Sequence, residues 1–211
     1  SKSFFNRQKS PFFFDKYKDD LIVSTQNDDL FVIKKNNKVI KLDLSAHHWH
    51  FLDKSRNEIL VLTYAYPELE KYKHLFKENF LKTCEYTNSV FKGRVRLDTL
   101  TILDANKYNI KKVINIFEII IKHPYLSKLI RHCGDLFHMN SVYVLKKEDT
   151  RNIDNSSEGD LLISLRELEA VILLDRSTFQ VKFYLSKLFD EQHWAIINSN
   201  GNIVLFDNKG A

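Results

Sequence analysis

The sequence predicts an α+β fold in one domain, residues 1–211, with a mixed or mainly antiparallel sheet and a helical middle segment. Two observations predict it. β-Branched and aromatic runs broken by Asn and Asp clusters occupy residues 21–66 and 140–207. Between them, over residues 67–138, the apolar spacing changes to three and four, with one strand near 95–103. The composition fits a packed globule: of 211 residues, 44% are hydrophobic and 28% charged, with 5 Gly and 3 Pro. Those proportions exclude collagen-like, linker-like and disordered chains.

Strands are expected at Leu21–Val23, Leu30–Ile33, Val39–Leu44 and Ile59–Thr63, with Lys35-Asn36-Asn37-Lys38 as the turn between the second and third. Pro67 can open a helix, because its fixed φ suits the first turn. Leu69, Tyr72, Leu75, Phe76, Phe80 and Leu81 then form one face, and Gly93 closes this helix or a following turn. Val95–Leu103 alternates and reads as a strand. A second helix is expected from about Ile110 to Ile121, on the stripe Val113, Ile114, Phe117, Ile120 and Ile121. Pro124 stops it or kinks it into a further helical piece through Arg131. Asp149–Gly159 is a polar loop, followed by strands at Leu161–Leu165, Ala170–Leu174, Phe179–Leu185, Trp194–Ile197 and Ile203–Phe206. Asn200-Gly201 is the strongest hairpin turn, and no self-similarity of repeat length is visible.

Thirty-two Lys and Arg against 27 Asp and Glu leave a formal charge of +5, which favours an anionic partner. Two cysteines are too few for a disulfide framework and point to a reducing compartment. The first residues lack the apolar run of a secretory signal. The most apolar stretch, Val113–Ile121, is broken by Asn115 and Glu118 and is about half the roughly 20 residues a span needs. No membrane segment is expected, and a cytoplasmic or intracellular location follows. Abundant Lys, Asn, Ile and Phe suggest an AT-rich genome such as that of a phage, virus or host-restricted bacterium.

Three constellations carry candidate chemistry. In Asp43-Leu44-Ser45-Ala46-His47-His48-Trp49-His50, the two-residue period of a strand places His48 and His50 on one face, where both imidazoles could hold Mg²⁺ or Mn²⁺ with Asp43. His48-Trp49-His50 looks like the histidine–hydrophobic–histidine motif of rolling-circle replication initiators and relaxases. Tyr108-Asn109-Ile110-Lys111-Lys112 resembles that family's tyrosine-to-lysine pattern. The resemblance covers residues 43–112 and implies Tyr108 as the nucleophile on a DNA phosphate, with Lys112 one helical turn later stabilising developing charge. Lys111, Lys122, Lys128 and Arg131 would contact phosphates.

The second constellation, Glu167 to Asp175 followed by Phe179-Gln180-Val181-Lys182, resembles the acidic residue and the acidic-or-Gln, any, Lys triplet of restriction-type nucleases. The third, His193-Trp194 with Asp207 after the next strand, looks like the His and Asp strands of adenain-type, ubiquitin-like-protease and papain-like cysteine peptidases. There the nucleophile would be Cys84 or Cys133. Each segment also has a plain structural reading: a folded histidine cluster, an ordinary hairpin, a packed Trp strand. Tyr64 and Tyr66 could stack bases or pack in a rim.

The expected function is therefore nucleic-acid binding, extending to a metal-dependent nuclease or replication-initiator-like phosphodiesterase. The alternatives are a cysteine-peptidase-like thiol hydrolase using His193 and Asp207, and a noncatalytic interaction or structural component of a phage or viral assembly.

Overall fold

The computed structural model describes residues 11–25, 29–75, 94–131 and 135–208. These residues form antiparallel meanders in chain order. The first contains β1 (Pro11–Tyr17), β2 (Asp20–Thr25), β3 (Leu30–Ile33) and β4 (Val39–Leu42). The second contains β5 (Ala46–Asp53), β6 (Glu58–Ala65), β7 (Leu97–Asp104) and β8 (Ile110–Asn115). The third contains β9 (Met139–Val144), β10 (Leu161–Leu165), β11 (Ala170–Leu174) and β12 (Val181–Ser186). A two-stranded ribbon, β13 (His193–Ile197) with β14 (Ile203–Phe206), completes the set.

The expected α+β class is thereby corrected to mainly antiparallel β. Among the described residues there is one α-helix, Ile116–Lys122. The helix expected from Ile110 is strand β8 for its first six residues, and the helix begins only after Asn115. Asn115 is the N-cap: its Oδ1 accepts the Glu118 amide, and its Nδ2 donates to Glu118 Oε1. The three-and-four spacing had run a strand and a short helix into one pattern, and Ile110 and Val113 are half exposed on β8. The helix expected after Pro67 is two 3-10 turns, Leu69–Lys71 and Lys73–Leu75. Its remaining positions, Phe76, Phe80 and Leu81, lie outside the described residues, as does Gly93. The piece expected through Arg131 is a 3-10 turn at Leu126–Leu129.

One turn recurs. Asp53 Oδ1 accepts the amides of Ser55 and Arg56, Asp104 Oδ1 those of Asn106 and Lys107, and Asp175 Oδ1 those of Ser177 and Thr178. Four residues after each Asp the chain is left-handed, at Asn57 (φ 53), Tyr108 (φ 60) and Phe179 (φ 56). An Asp side chain that captures the amides two and three residues ahead fixes such a turn.

The described residues group into two compact units, residues 1–64 with 100–114, and residues 65–99 with 115–211. The first buries Tyr17, Ile22, Leu30, Val32, Leu52, Ile59 and Val61 together. In the second, all five residues of β10 and of β11 are buried, so both faces of these strands are covered and their sequences are near-continuously apolar. Leu162, Val171 and Leu173 meet Ala195 and Ile197 of the ribbon there.

Candidate functional site

The histidine segment lies on β5 of the first unit. His47 is buried and stacks on Tyr64, with ring centroids 3.7 Å apart and 6° between planes. His48 is left-handed (φ 55), and the β5–β6 register shifts between Ala46 and His50. This bulge interrupts the two-residue alternation on which a shared His48/His50 face depended. His50 is buried, with Nδ1 2.7 Å from Ser24 Oγ and Nε2 3.7 Å from Asp15 Oδ2. Burial lowers its pKa to about 3, so the imidazole is neutral at physiological pH. Ser24, His50 and Asp15 have the composition of a hydrolytic triad, yet Ser24 and His50 are each only 3% exposed and offer a substrate no approach. Asp43 is exposed in the connection between β4 and β5. Among the described residues no group of three or more His, Cys, Asp or Glu could hold a metal ion, so the donor set for Mg²⁺ or Mn²⁺ is not gathered.

Tyr108 sits in the β7–β8 turn, not at a helix start, and Lys111 and Lys112 follow on β8, so Lys112 is not one helical turn away. The Tyr108 hydroxyl donates to Asp20 Oδ2 at 2.5 Å, and Lys34 Nζ lies 2.6 Å from the same oxygen and 4.3 Å from the Tyr108 ring centroid. Burial, and then the bond to Asp20, raise the phenol above its ordinary pKa. Against burial, the hydrogen bonds from Lys34 and Tyr108 hold the Asp20 carboxyl below its ordinary range, so it is a weak base toward a phenol whose own pKa is raised. Lys111 Nζ pairs with Glu58 Oε1 at 2.5 Å, and Lys112 is exposed.

In the second unit, the hairpin β11–β12 brings Asp175 and Lys182 together and adds Asp160, which the sequence had not singled out. Lys182 Nζ lies 2.8 Å from Asp160 Oδ2 and 3.3 Å from Asp175 Oδ2. Both carboxylates also hold turns: Asp160 accepts the amides of Ser157 and Arg176, and Asp175 those of Ser177 and Thr178. The cluster is a lock between the 157–160 segment and the hairpin. Glu167 accepts from Arg166, and Glu169 pairs with Arg131 at 3.0 Å, which partly neutralises one of the expected phosphate contacts.

His193 Nδ1 lies 2.9 Å from the Glu191 carbonyl oxygen and 3.1 Å from Asn208 Nδ2, and burial lowers its pKa. Asp207 Oδ1 accepts the Asp190 amide at 3.3 Å. Cys84 and Cys133 lie outside the described residues. Beside His193, with rings 6.2 Å apart, is His138, whose Nδ1 meets Asp135 Oδ2 at 2.5 Å; Arg96 binds the same oxygen. Asp98, fully buried, accepts the Met139 amide at 2.9 Å, and burial pushes its carboxyl up to about 7. Sequence reasoning missed this cluster, because Asp98 reads as one polar position of an alternating strand.

A solvent-facing grouping lies between the helix and β12. The Tyr125 and Tyr184 rings stack at 5.1 Å and 21°, and His123 meets Tyr184 edge-on at 5.3 Å. The amides of Tyr125 and Leu126 donate to His123 Nδ1, which fixes that ring in place. Lys122 and Lys128, both singled out from sequence, flank these aromatics along the chain and are exposed. The aromatic partners were missed, since Tyr184 is far from His123 and Tyr125 along the chain and only the fold unites them.

These observations define a mainly β protein of antiparallel meanders. No family model matches the chain, and no match is found among curated proteins. Among solved structures it is similar to the WD40 β-propeller domain of Doa1, at 10% identity and a TM-score of 0.35, over 93% of this chain and 60% of that one. The chain thus spans less than two thirds of that structure's length. No helix of the described residues is long and apolar enough to cross a membrane.

Proposed function

We propose that the chain is a noncatalytic binding module that takes single-stranded nucleic acid on the surface formed by His123, Tyr125 and Tyr184. The observation that carries this reading is the stacked aromatic set lying beside exposed Lys122 and Lys128, neither of which has an ion-pair partner among the described residues. Bases stack on aromatic rings with a gain of about 1–3 kcal/mol each, largely independent of sequence, while lysines neutralise phosphates. The formal charge of +5 favours the same partner.

The noncatalytic part rests on how the candidate catalytic groups are engaged. Tyr108 is a protonated donor to Asp20, His50 is neutral and buried, and Lys182 is held between two carboxylates. The test is fluorescence anisotropy with a labelled oligo-dT or oligo-U strand, comparing wild type with Tyr184→Ala. Loss of one stacking platform is expected to weaken binding by about tenfold, with no cleavage in Mn²⁺ or in EDTA. Unchanged affinity in Tyr184→Ala would overturn the assignment of the surface, and metal-dependent cleavage would overturn the noncatalytic reading.

A further inference from the structure

Two polar stretches far apart in the sequence, residues 146–152 after β9 and residues 198–201 between β13 and β14, meet in the second unit around a hollow of about 470 Å³. Tyr143 of β9 and Ile197 of β13 are its apolar lining, and both belong to the core cluster of that unit. The two stretches are tied to each other: Asn152 Nδ2 donates to the Asn200 carbonyl at 2.9 Å, an approach that Gly201, without a Cβ, leaves open. The hollow is thus shaped by the fold before any ligand arrives. Its polar groups are sorted by role. The acceptors are spent on the loops: Asp149 Oδ2 takes the Tyr143 hydroxyl at 3.0 Å and the Lys146 amide at 2.7 Å, and Asn198 Oδ1 takes the amides of Asn200 and Asn202, each at 3.0 Å. The donors are not. The Lys146 ammonium, the Arg151 guanidinium, the Asn198 Nδ2 and the Ser199 hydroxyl all belong to lining residues, and none makes a hydrogen bond or ion pair among the described residues.

We infer that this hollow binds a small phosphate monoester carried on a hydroxylated body, a ligand of the sugar-phosphate class. A dianionic phosphate matches the two cations, with Arg151 offering a planar fork of donors and Lys146 a point charge, and the Ser199 hydroxyl and Asn198 Nδ2 add neutral donors. The volume lies within the range of about 300–1,000 Å³ usual for small-molecule sites and leaves room beyond the phosphate. Glu148, the other carboxylate of the lining, is not held by a turn bond as Asp149 is. It repels a bare anion but accepts hydrogen bonds from hydroxyl groups, so it favours the ester over inorganic phosphate. The inference stands apart from the nucleic-acid reading, since it uses none of the residues of that surface.

The test is calorimetric titration of the whole chain with ribose 5-phosphate, glucose 6-phosphate and glycerol 3-phosphate, beside ribose, glucose, glycerol and inorganic phosphate. At least one ester is expected to bind tenfold or more tightly than both its unphosphorylated parent and inorganic phosphate. Lys146→Ala and Arg151→Ala should each weaken that ester at least tenfold. Both side chains are exposed and outside the turn bonds, and an unchanged melting curve without ligand confirms that the variants fold. Glu148→Gln should bind inorganic phosphate more tightly than wild type and the ester more weakly, a split that a general loss of structure would not give. Binding of none of the three esters, equal binding of the parent without phosphate, or unchanged binding in Arg151→Ala would each overturn the inference. Displacement of a bound oligo-U strand by the ester would assign the hollow to a phosphate of the strand and overturn the small-molecule assignment.

Discussion

Asp98 has the clearest ionisation signature in the chain. It is fully buried, with one carboxyl oxygen on the Met139 amide, and burial outweighs the nearby Arg96 and His138 to raise its pKa to about 7. An unfolded chain would release this proton near pH 4. Folding therefore favours the protonated form, and that contribution is complete below about pH 4 and lost as pH rises through about 7. Asp98→Asn, which mimics the neutral carboxyl, is expected to melt like wild type near pH 4 and above it near pH 8. Parallel melting curves across that range would contradict this account. Residue chemistry was only partly legible in the sequence. Lys122 and Lys128, singled out as phosphate contacts, are exposed, but the roles of Tyr108 and His50 depended on Asp20, Ser24 and Asp15, partners far along the chain.

At the scale of elements, strand positions could be read where β-branched residues dominate, as in β3, β10, β11 and β14, whose bounds agree with the sequence reading. β1 was not, because its Phe-rich segment gives no clear alternation, and β5 was read as a regular strand through its histidines without the bulge between Ala46 and His50. The recurring turn was written in the chain as Asp53-Lys-Ser-Arg-Asn57, Asp104-Ala-Asn-Lys-Tyr108 and Asp175-Arg-Ser-Thr-Phe179, but its shared feature is a backbone conformation rather than residue identity. The Asn200-Gly201 turn was legible and is the most demanding of all. Gly201 has φ +78, and a Cβ there would come 1.9 Å from Asn152 Nδ2, which donates to the Asn200 carbonyl. Gly201→Ala is expected to destabilise the protein by about 1–3 kcal/mol, through backbone strain and loss of that bond. Urea titration measures it, and Asn152→Ala in the same chain should recover the steric part. A cost indistinguishable from zero would mean that the turn relaxes freely.

For the molecule as a whole, antiparallel strands in chain order recur three times in sets of four among the described residues. The repetition was invisible in the sequence because different residues fill each set, and what recurs is strand order. The proposed recognition surface is the aromatic set of His123, Tyr125 and Tyr184, with exposed Lys122 and Lys128 close to it in the chain. The salt dependence of oligonucleotide binding tests this directly. Single-stranded binding should lose affinity with a log–log slope of about −0.7 for each phosphate neutralised, or about −1.4 for two lysines. Wild type is predicted to show a slope at least that steep, and Lys122→Glu/Lys128→Glu a much flatter one. A salt-independent affinity, or an equal slope in the two proteins, would contradict the account.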